Sequence, residues 1–189
     1  MKILCFVQYD DNLINSVSKE AIALGQEIKE KLNGTLDILT FNEQAANELS
    51  GYEANQVLMI KNENLNTYNP LHYTSAVEQT LNNNEYDLFI VGHTYQARDW
   101  VPRLSARCDI PFISDCIDYI IESTSIEWIR SLYRAKINSQ LKSNSTQTII
   151  SVQSGCFKAD NTKTGSSSIN AINIDLSNVQ KTIIPGEKF

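Results

Sequence analysis

The feature that most narrows the fold is an apolar run at the very start, Lys2 to Gln8, followed at once by an apolar face at helical spacing. A run of strand length without polar alternation marks a strand buried on both faces. Val17, Ala21, Leu24, Ile28 and Leu32 then recur at steps of four, three, four and four. That is one side of a helix, with Gly34 placed to end it. Thr35 to Phe41 reads as a second strand, Glu43 to Leu49 as a short helix, and Gln56 to Ile60 as a third strand. Beyond the amide-rich loop Lys61 to Asn69, the pair Asn69-Pro70 opens a helix, Asn as cap and Pro in the first position. Its apolar face is Tyr73, Val77 and Leu81, and the run Asn82-Asn83-Asn84 stops it. Asp87 to Val91 is again a buried strand, closed by Gly92. Alternation of this kind, joined by short turns, specifies parallel β-α-β units with helices on both faces of the sheet. The core should include Leu4, Phe6, Leu24, Ile28, Leu88, Ile90 and Leu104.

The pattern changes after about residue 115. Tyr133, Ala135, Ile137, Ser139 and Leu141 alternate with polar neighbours, as in a half-solvated strand. Ile149 to Val152 is a buried run, and Ile172, Ile174 and Leu176 alternate again, with a polar, mobile loop expected between Lys158 and Ser168. The C-terminal third is therefore strand-rich with some antiparallel pairing. At 189 residues, against ~150 per domain, one α/β domain spanning 1–189 is the expected organisation.

Composition removes several function classes. The net charge is −6 and no Lys/Arg run exceeds two, so a nucleic-acid partner, which requires clustered cations, is not expected. The first apolar run holds five residues, too short for a signal-peptide core or a membrane span. A soluble, cytoplasmic chain without a signal or transit peptide is expected. Cys5, Cys108, Cys116 and Cys156 are scattered, and with only His72 and His93 besides they offer no metal-ligand spacing. No Gly-rich phosphate loop and no nucleophile elbow are present.

One segment stands at the place where open parallel sheets bind ligands, the carboxyl end of a strand. It runs Gly92-His93-Thr94-Tyr95-Gln96-Ala97-Arg98-Asp99-Trp100-Val101-Pro102-Arg103-Leu104. It supports two readings. One is an anion or nucleotide site at a helix N-terminus. The other is a helix starting near Trp100, capped by Asp99 with Pro102 in its first turn, whose carboxylate would repel phosphate.

Ala97-Arg98-Asp99-Trp100-Val101-Pro102-Arg103-Leu104-Ser105-Ala106-Arg107 resembles the GRD…PR…AA segment of electron transfer flavoprotein α subunits. Ile113-Ser114-Asp115-Cys116-Ile117 is similar to that family's ISDV strand, Arg130-Ser131-Leu132-Tyr133 to its RPIY, and Val152-Gln153-Ser154-Gly155-Cys156-Phe157 to its VRPGAF. Order and spacing agree from about residue 86 to 158. Departures are Ala97 for the family's Gly, Arg134-Ala135 for its AG, and Gln153 for its Arg. The resemblance implies a three-layer Rossmann-like α/β sandwich of the adenine nucleotide α hydrolase-like type, mainly parallel with additional antiparallel C-terminal strands. It also implies the N-terminal domain of an electron carrier. In such a subunit most FAD contacts lie in a second domain, which would start near Ile184-Pro185-Gly186. FAD is then expected in the complete heterodimer and not on this chain alone.

The implied partner is the β subunit, with flavin dehydrogenases met indirectly. The family-motif and interface candidates are Arg98, Asp99, Pro102, Arg103, Ser114, Asp115, Arg130 and Tyr133. Trp100, Arg107 and Arg134 join them as residue types that interfaces favour, unless Trp100 is core and the arginines are solvated. Two readings compete. A stand-alone adenine-nucleotide module of the stress-protein type would share the sheet. A nucleotide hydrolase would need a Ser-Gly-Gly loop where Gln8-Tyr9-Asp10-Asp11 stands.

Overall fold

A computed structural model of the chain describes residues 1–181, 183 and 186. Strand β1 (Lys2–Phe6) leads into a small hairpin, β2 (Tyr9–Asp10) and β3 (Leu13–Ile14), turned by Asp11 and Asn12 at φ 50° and 63°. Helix α1 (Ser16–Lys31), β4 (Thr35–Thr40), α2 (Glu43–Leu49), β5 (Gln56–Ile60), α3 (Pro70–Asn82), β6 (Leu88–Gly92) and α4 (Tyr95–Cys108) follow. Then come β7 (Phe112–Glu122), β8 (Ser125–Leu132), β9 (Ile137–Lys142), β10 (Thr148–Val152) and β11 (Ser168–Ile172). All but β2 and β3 join one sheet in the order β11-β5-β4-β1-β6-β10-β7-β8-β9. Pairing is parallel from β11 to β7 and antiparallel from β7 through β8 to β9.

Alternate strand residues feed two cores, which is why the strands read as continuous apolar runs. Ile3, Cys5, Val7, Leu36, Ile38 and Ile90 face α1 and α2. Leu4, Phe6, Leu39, Phe89 and Val91 face α3 and α4. All seven residues expected in the core are buried. The asparagines account for much of the punctuation: Asn15, Asn42 and Asn69 cap α1, α2 and α3 through their side-chain oxygens. At the end of α1 the left-handed position is taken by Asn33 (φ 49°), not Gly34. Gly34 is required for a different reason, because a Cβ there would sit 2.4 Å from the Met1 carbonyl oxygen.

Four expectations need correction. Helix α4 begins five residues before Trp100, and its cap is Thr94, whose Oγ1 accepts the Ala97 N–H at 3.0 Å. Asp99 lies inside the helix, and Pro102 is well past the first turn, leaving the Arg98 carbonyl without a helical donor. Of the two readings open for Trp100 the core one holds, since the indole is fully buried among Phe6, Tyr73 and Phe89. The alternation from Tyr133 to Leu141 is not one strand: Tyr133, Arg134 and Ala135 turn the β8–β9 hairpin at φ 51°, 59° and 61°. Likewise the C-terminal strand is β11, ending at Ile172, so the alternation through Leu176 lies beyond it. The 158–168 segment is tied down at Lys163 and Ser167: the Lys163 amide donates to Gln26 Oε1 at 2.7 Å, and the Ser167 hydroxyl donates to the Tyr52 carbonyl at 2.7 Å. The Ile184-Pro185-Gly186 boundary falls largely outside the described residues.

Candidate functional site

At the carboxyl edge of the parallel strands, β1 has β4 on one side and β6 on the other. That is the switch point where such sheets hold ligands. Here it is closed by the chain's own polar side chains. Thr94 Oγ1 donates to Gln8 Oε1 at 2.6 Å, the Gln8 amide donates to Asp10, and the Gln96 amide reaches the other Asp10 oxygen at 3.2 Å. The β2–β3 hairpin occupies the position where a Ser-Gly-Gly loop would stand, which removes support from the hydrolase reading. Gly92 makes the junction possible. A Cβ there would meet Val17 Cγ1 at 2.6 Å, so only glycine lets the start of α1 pack on the end of β6.

Next to it, at the ends of β6 and β10 and beside Asp115 of β7, a second cluster forms around His93. Its Nδ1 lies 2.8 Å from Ser151 Oγ, which also accepts the Asp115 N–H at 3.0 Å. On the other side of the ring, Nε2 lies 3.8 Å from Asp115 Oδ1, so the imidazole stands between Ser151 and Asp115. Asp115 holds φ 61°, and the Gln153 side chain reaches its other oxygen at 3.5 Å. Burial holds His93 below its usual value, Asp115 opposes this, and Arg98 and Arg130 reinforce it. Ser151 is completely buried with its oxygen engaged from both sides, so the trio is a packing and positioning unit, not a nucleophile relay.

The sign of the resulting pH effect follows directly. The folded imidazole titrates below the unfolded value of ~6.5, so the unfolded chain takes up the proton first as pH falls. Stability from neutral His93 is complete above about pH 6.5 and is lost as pH drops toward the depressed value. Urea unfolding is expected at lower denaturant near pH 5.5 than near pH 7.5, and His93→Gln should flatten that difference. Parallel pH slopes for the two proteins over this window would remove the role.

Of the residues singled out from sequence, the structure gathers Arg98, Asp115 and Arg130 around His93. Ser114 is half-buried in β7, one residue before Asp115. Asp99 and Arg103 belong elsewhere: Asp99 accepts the Tyr68 hydroxyl at 2.8 Å and pairs with Arg103 at 3.4 Å, bracing α4 against the loop before α3. Pro102 is exposed on α4, and Tyr133 is 75% exposed at the hairpin tip. Arg107 pairs with Glu78 at 2.6 Å. The key residues that sequence reading passed over are Ser151 and Glu20. Glu20, buried on α1, accepts the amides of Gly155 at 2.9 Å and Phe157 at 3.1 Å. Both are polar residues inside apolar patterns, and that was their available signal.

The pyrophosphate of FAD requires backbone amides at close approach. Gly92 has its open side filled by Val17, and Gly155 (φ 84°) gives its amide to Glu20. The residues at this edge therefore do not fit that group. Among the described residues, no cluster of His, Cys, Asp and Glu is placed to hold a metal ion, and no helix is long and apolar enough to cross a membrane. Burial pushes the Cys116 thiol up to about 12 and raises Cys5 further, as for inert core cysteines.

Comparison with known proteins fits this geometry. The chain is 27% identical over 184 residues to "Electron transfer flavoprotein subunit alpha" of Bacillus subtilis, covering 96% of this chain and 57% of that protein. It is 24% identical over 178 residues to "Protein FixB" of Clostridium saccharobutylicum, covering 92% of this chain and 53% of that one. A subunit alpha of Clostridium acetobutylicum is 27% identical over 120 residues, 62% of this chain and 36% of its own length. The chain thus spans little more than half the length of the first two of these relatives. The electron transfer flavoprotein domain matches residues 3–177, from β1 through β11, and the chain belongs to that family.

Proposed function

We propose that the chain serves as the N-terminal α/β domain, 1–189, of an electron transfer flavoprotein α subunit, in a cytoplasmic, prokaryotic carrier. In this role it does no chemistry. It docks the β subunit and frames an FAD whose main contacts lie in other parts of the complex, while flavin dehydrogenases feed electrons to the assembled carrier. The observation that carries this reading is the family match over nearly the whole sheet. The switch point supports it, because Gln8, Asp10, Thr94 and Gln96 commit their donors to one another where a bound dinucleotide would need open donors. The test is direct titration of the purified chain with FAD. The expected result is no saturable quenching of flavin fluorescence; stoichiometric, saturable binding to the chain alone would overturn the framing role.

A second reading rests on a cavity of about 240 Å³ at the ends of β1 and β4, lined in part by Phe41, Asn42, Tyr68 and Tyr73. Aromatic walls with a few amides suit a flat base, so an adenine-nucleotide module is the competitor. Calorimetric binding of AMP or ATP by the purified chain would favour it.

A further inference from the structure

The β8–β9 hairpin departs from the rest of the surface in three independent ways. The first is charge: from Ser125 to Lys142 the hairpin carries Arg130, Arg134, Lys136 and Lys142, four of the 16 Lys and Arg, against Glu127 alone of the 22 Asp and Glu. A local block of cations on a chain of net charge −6 is a field the partner must complement. The second is an uncovered apolar stripe. Directly paired residues share a face of the sheet, so Trp128 with Leu141 and Leu132 with Ile137 lie on one side. The inner end of that side is covered, with Trp128 buried against Tyr119 and Lys31 of α1 donating to the Tyr119 hydroxyl at 2.9 Å. The outer end is not: Ile137 is 54% and Tyr133 75% exposed. The third is backbone conformation, since Tyr133, Arg134 and Ala135 are three consecutive non-glycine residues in the left-handed region. Such residues occur singly as a rule and cluster at functional sites. Here they hold Tyr133 and the two cations out at the tip.

We infer that this arm is the docking element of the chain, and that it takes a protein surface with an acidic rim around an apolar recess, supplied by the β subunit. The inference rests on the heterodimer reading above and adds the place and the chemistry of contact. Tyr133 and Ile137 would fill the recess, and Arg134 and Lys136 would pair with the rim. An aromatic anchor surrounded by arginine matches the residue types that carry binding energy at interfaces. Elsewhere the chain is dominated by acids, so a like-charged face could not replace the arm.

The experiment co-expresses the full chain with the β-subunit gene of the same genome and measures affinity by surface plasmon resonance. Three variants are compared with wild type: Tyr133→Ala, the pair Arg134→Glu with Lys136→Glu, and Lys61→Glu as a cation remote from the arm. Circular dichroism melts establish that each is folded. The expected result is a wild-type complex that weakens as ionic strength rises from about 0.05 to about 0.5 M. Tyr133→Ala and the double reversal should each lose roughly tenfold or more in affinity, while Lys61→Glu binds as wild type. If the wild-type chain forms no complex, the heterodimer reading falls and the inference with it. If wild type and arm variants bind equally, the inference alone is overturned. Two further readouts also overturn it: arm-dependent sedimentation with phosphatidylglycerol vesicles in place of β-subunit binding, which would assign the arm to a lipid surface, or arm-dependent self-association in sedimentation equilibrium, which would assign it to a second copy.

Discussion

Replacing Trp100 with Ala is expected to cost about 3–5 kcal/mol of folding stability. The indole is fully buried. Its ring meets Phe6 at 5.3 Å and Tyr73 and Phe89 at 6.2 Å, centroid to centroid. Its backbone oxygen accepts the Thr74 hydroxyl at 3.3 Å, tying α4 to α3. Removing the ring leaves a cavity walled by three aromatic rings that cannot collapse, because β1, β6 and α3 hold them. A domain is stable by only ~5–15 kcal/mol, so the variant should unfold at much lower urea with an unchanged slope. Trp100→Phe refills most of the volume and should recover more than half of the loss. The opposite outcome is informative: a Trp100→Ala chain that unfolds like wild type but no longer binds the β subunit would return the indole to an interface.

The same residue shows where sequence reading loses resolution. Ala97, Trp100, Val101 and Leu104 stand at steps of three, one and three, a helical face that requires Ala97 inside the helix. Asp99 is a good capping residue type, and that preference outweighed the spacing. Thr94 is equally competent as a cap, and burying Ala97 decides between them. The hairpin was hidden for a related reason. Tyr133, Ala135 and Ile137 keep period two straight through a turn that contains no Gly, Pro, Asn or Asp, so nothing local marks it. Strand β11 pairs in parallel with β5, more than a hundred residues earlier, and pairing at that range leaves no local trace. By contrast, the strands that read as unbroken apolar runs were legible because both of their faces are buried, by α1 and α2 on one side and α3 and α4 on the other. The family motifs were legible as chemistry but not as geometry. Arg98, Asp115 and Arg130 converge on His93, while Asp99 and Arg103, adjacent in the motif, point to the loop before α3.

The second large effect is expected at Glu20, whose carboxylate ties the buried face of α1 to residues 155–157 of the loop that follows β10. Both of its oxygens accept the Gly155 amide, at 2.9 and 3.0 Å, and one also accepts the Phe157 amide at 3.1 Å. Hydrogen bonds to a charged acceptor contribute more than neutral ones, about 1.5–3 kcal/mol each net of exchange with water. Gly155 is exposed and water can recover part of its bond, so the expected cost of Glu20→Ala is roughly 2–3 kcal/mol. The loss should be local before it is global. Gln153 sits on this loop and reaches Asp115 at 3.5 Å, so releasing residues 153–157 loosens the support of the His93 cluster as well. Hydrogen exchange is the discriminating measurement: the Phe157 amide should exchange far faster in Glu20→Ala while amides of β4 and β5 keep their protection. Glu20→Gln retains one acceptor oxygen but turns an N–H₂ group toward the loop amides, so it should recover less than half of the stability. Unchanged exchange at Phe157 together with a wild-type melting temperature would mean that Phe157 packing against the α1 core, and not the carboxylate, holds the loop.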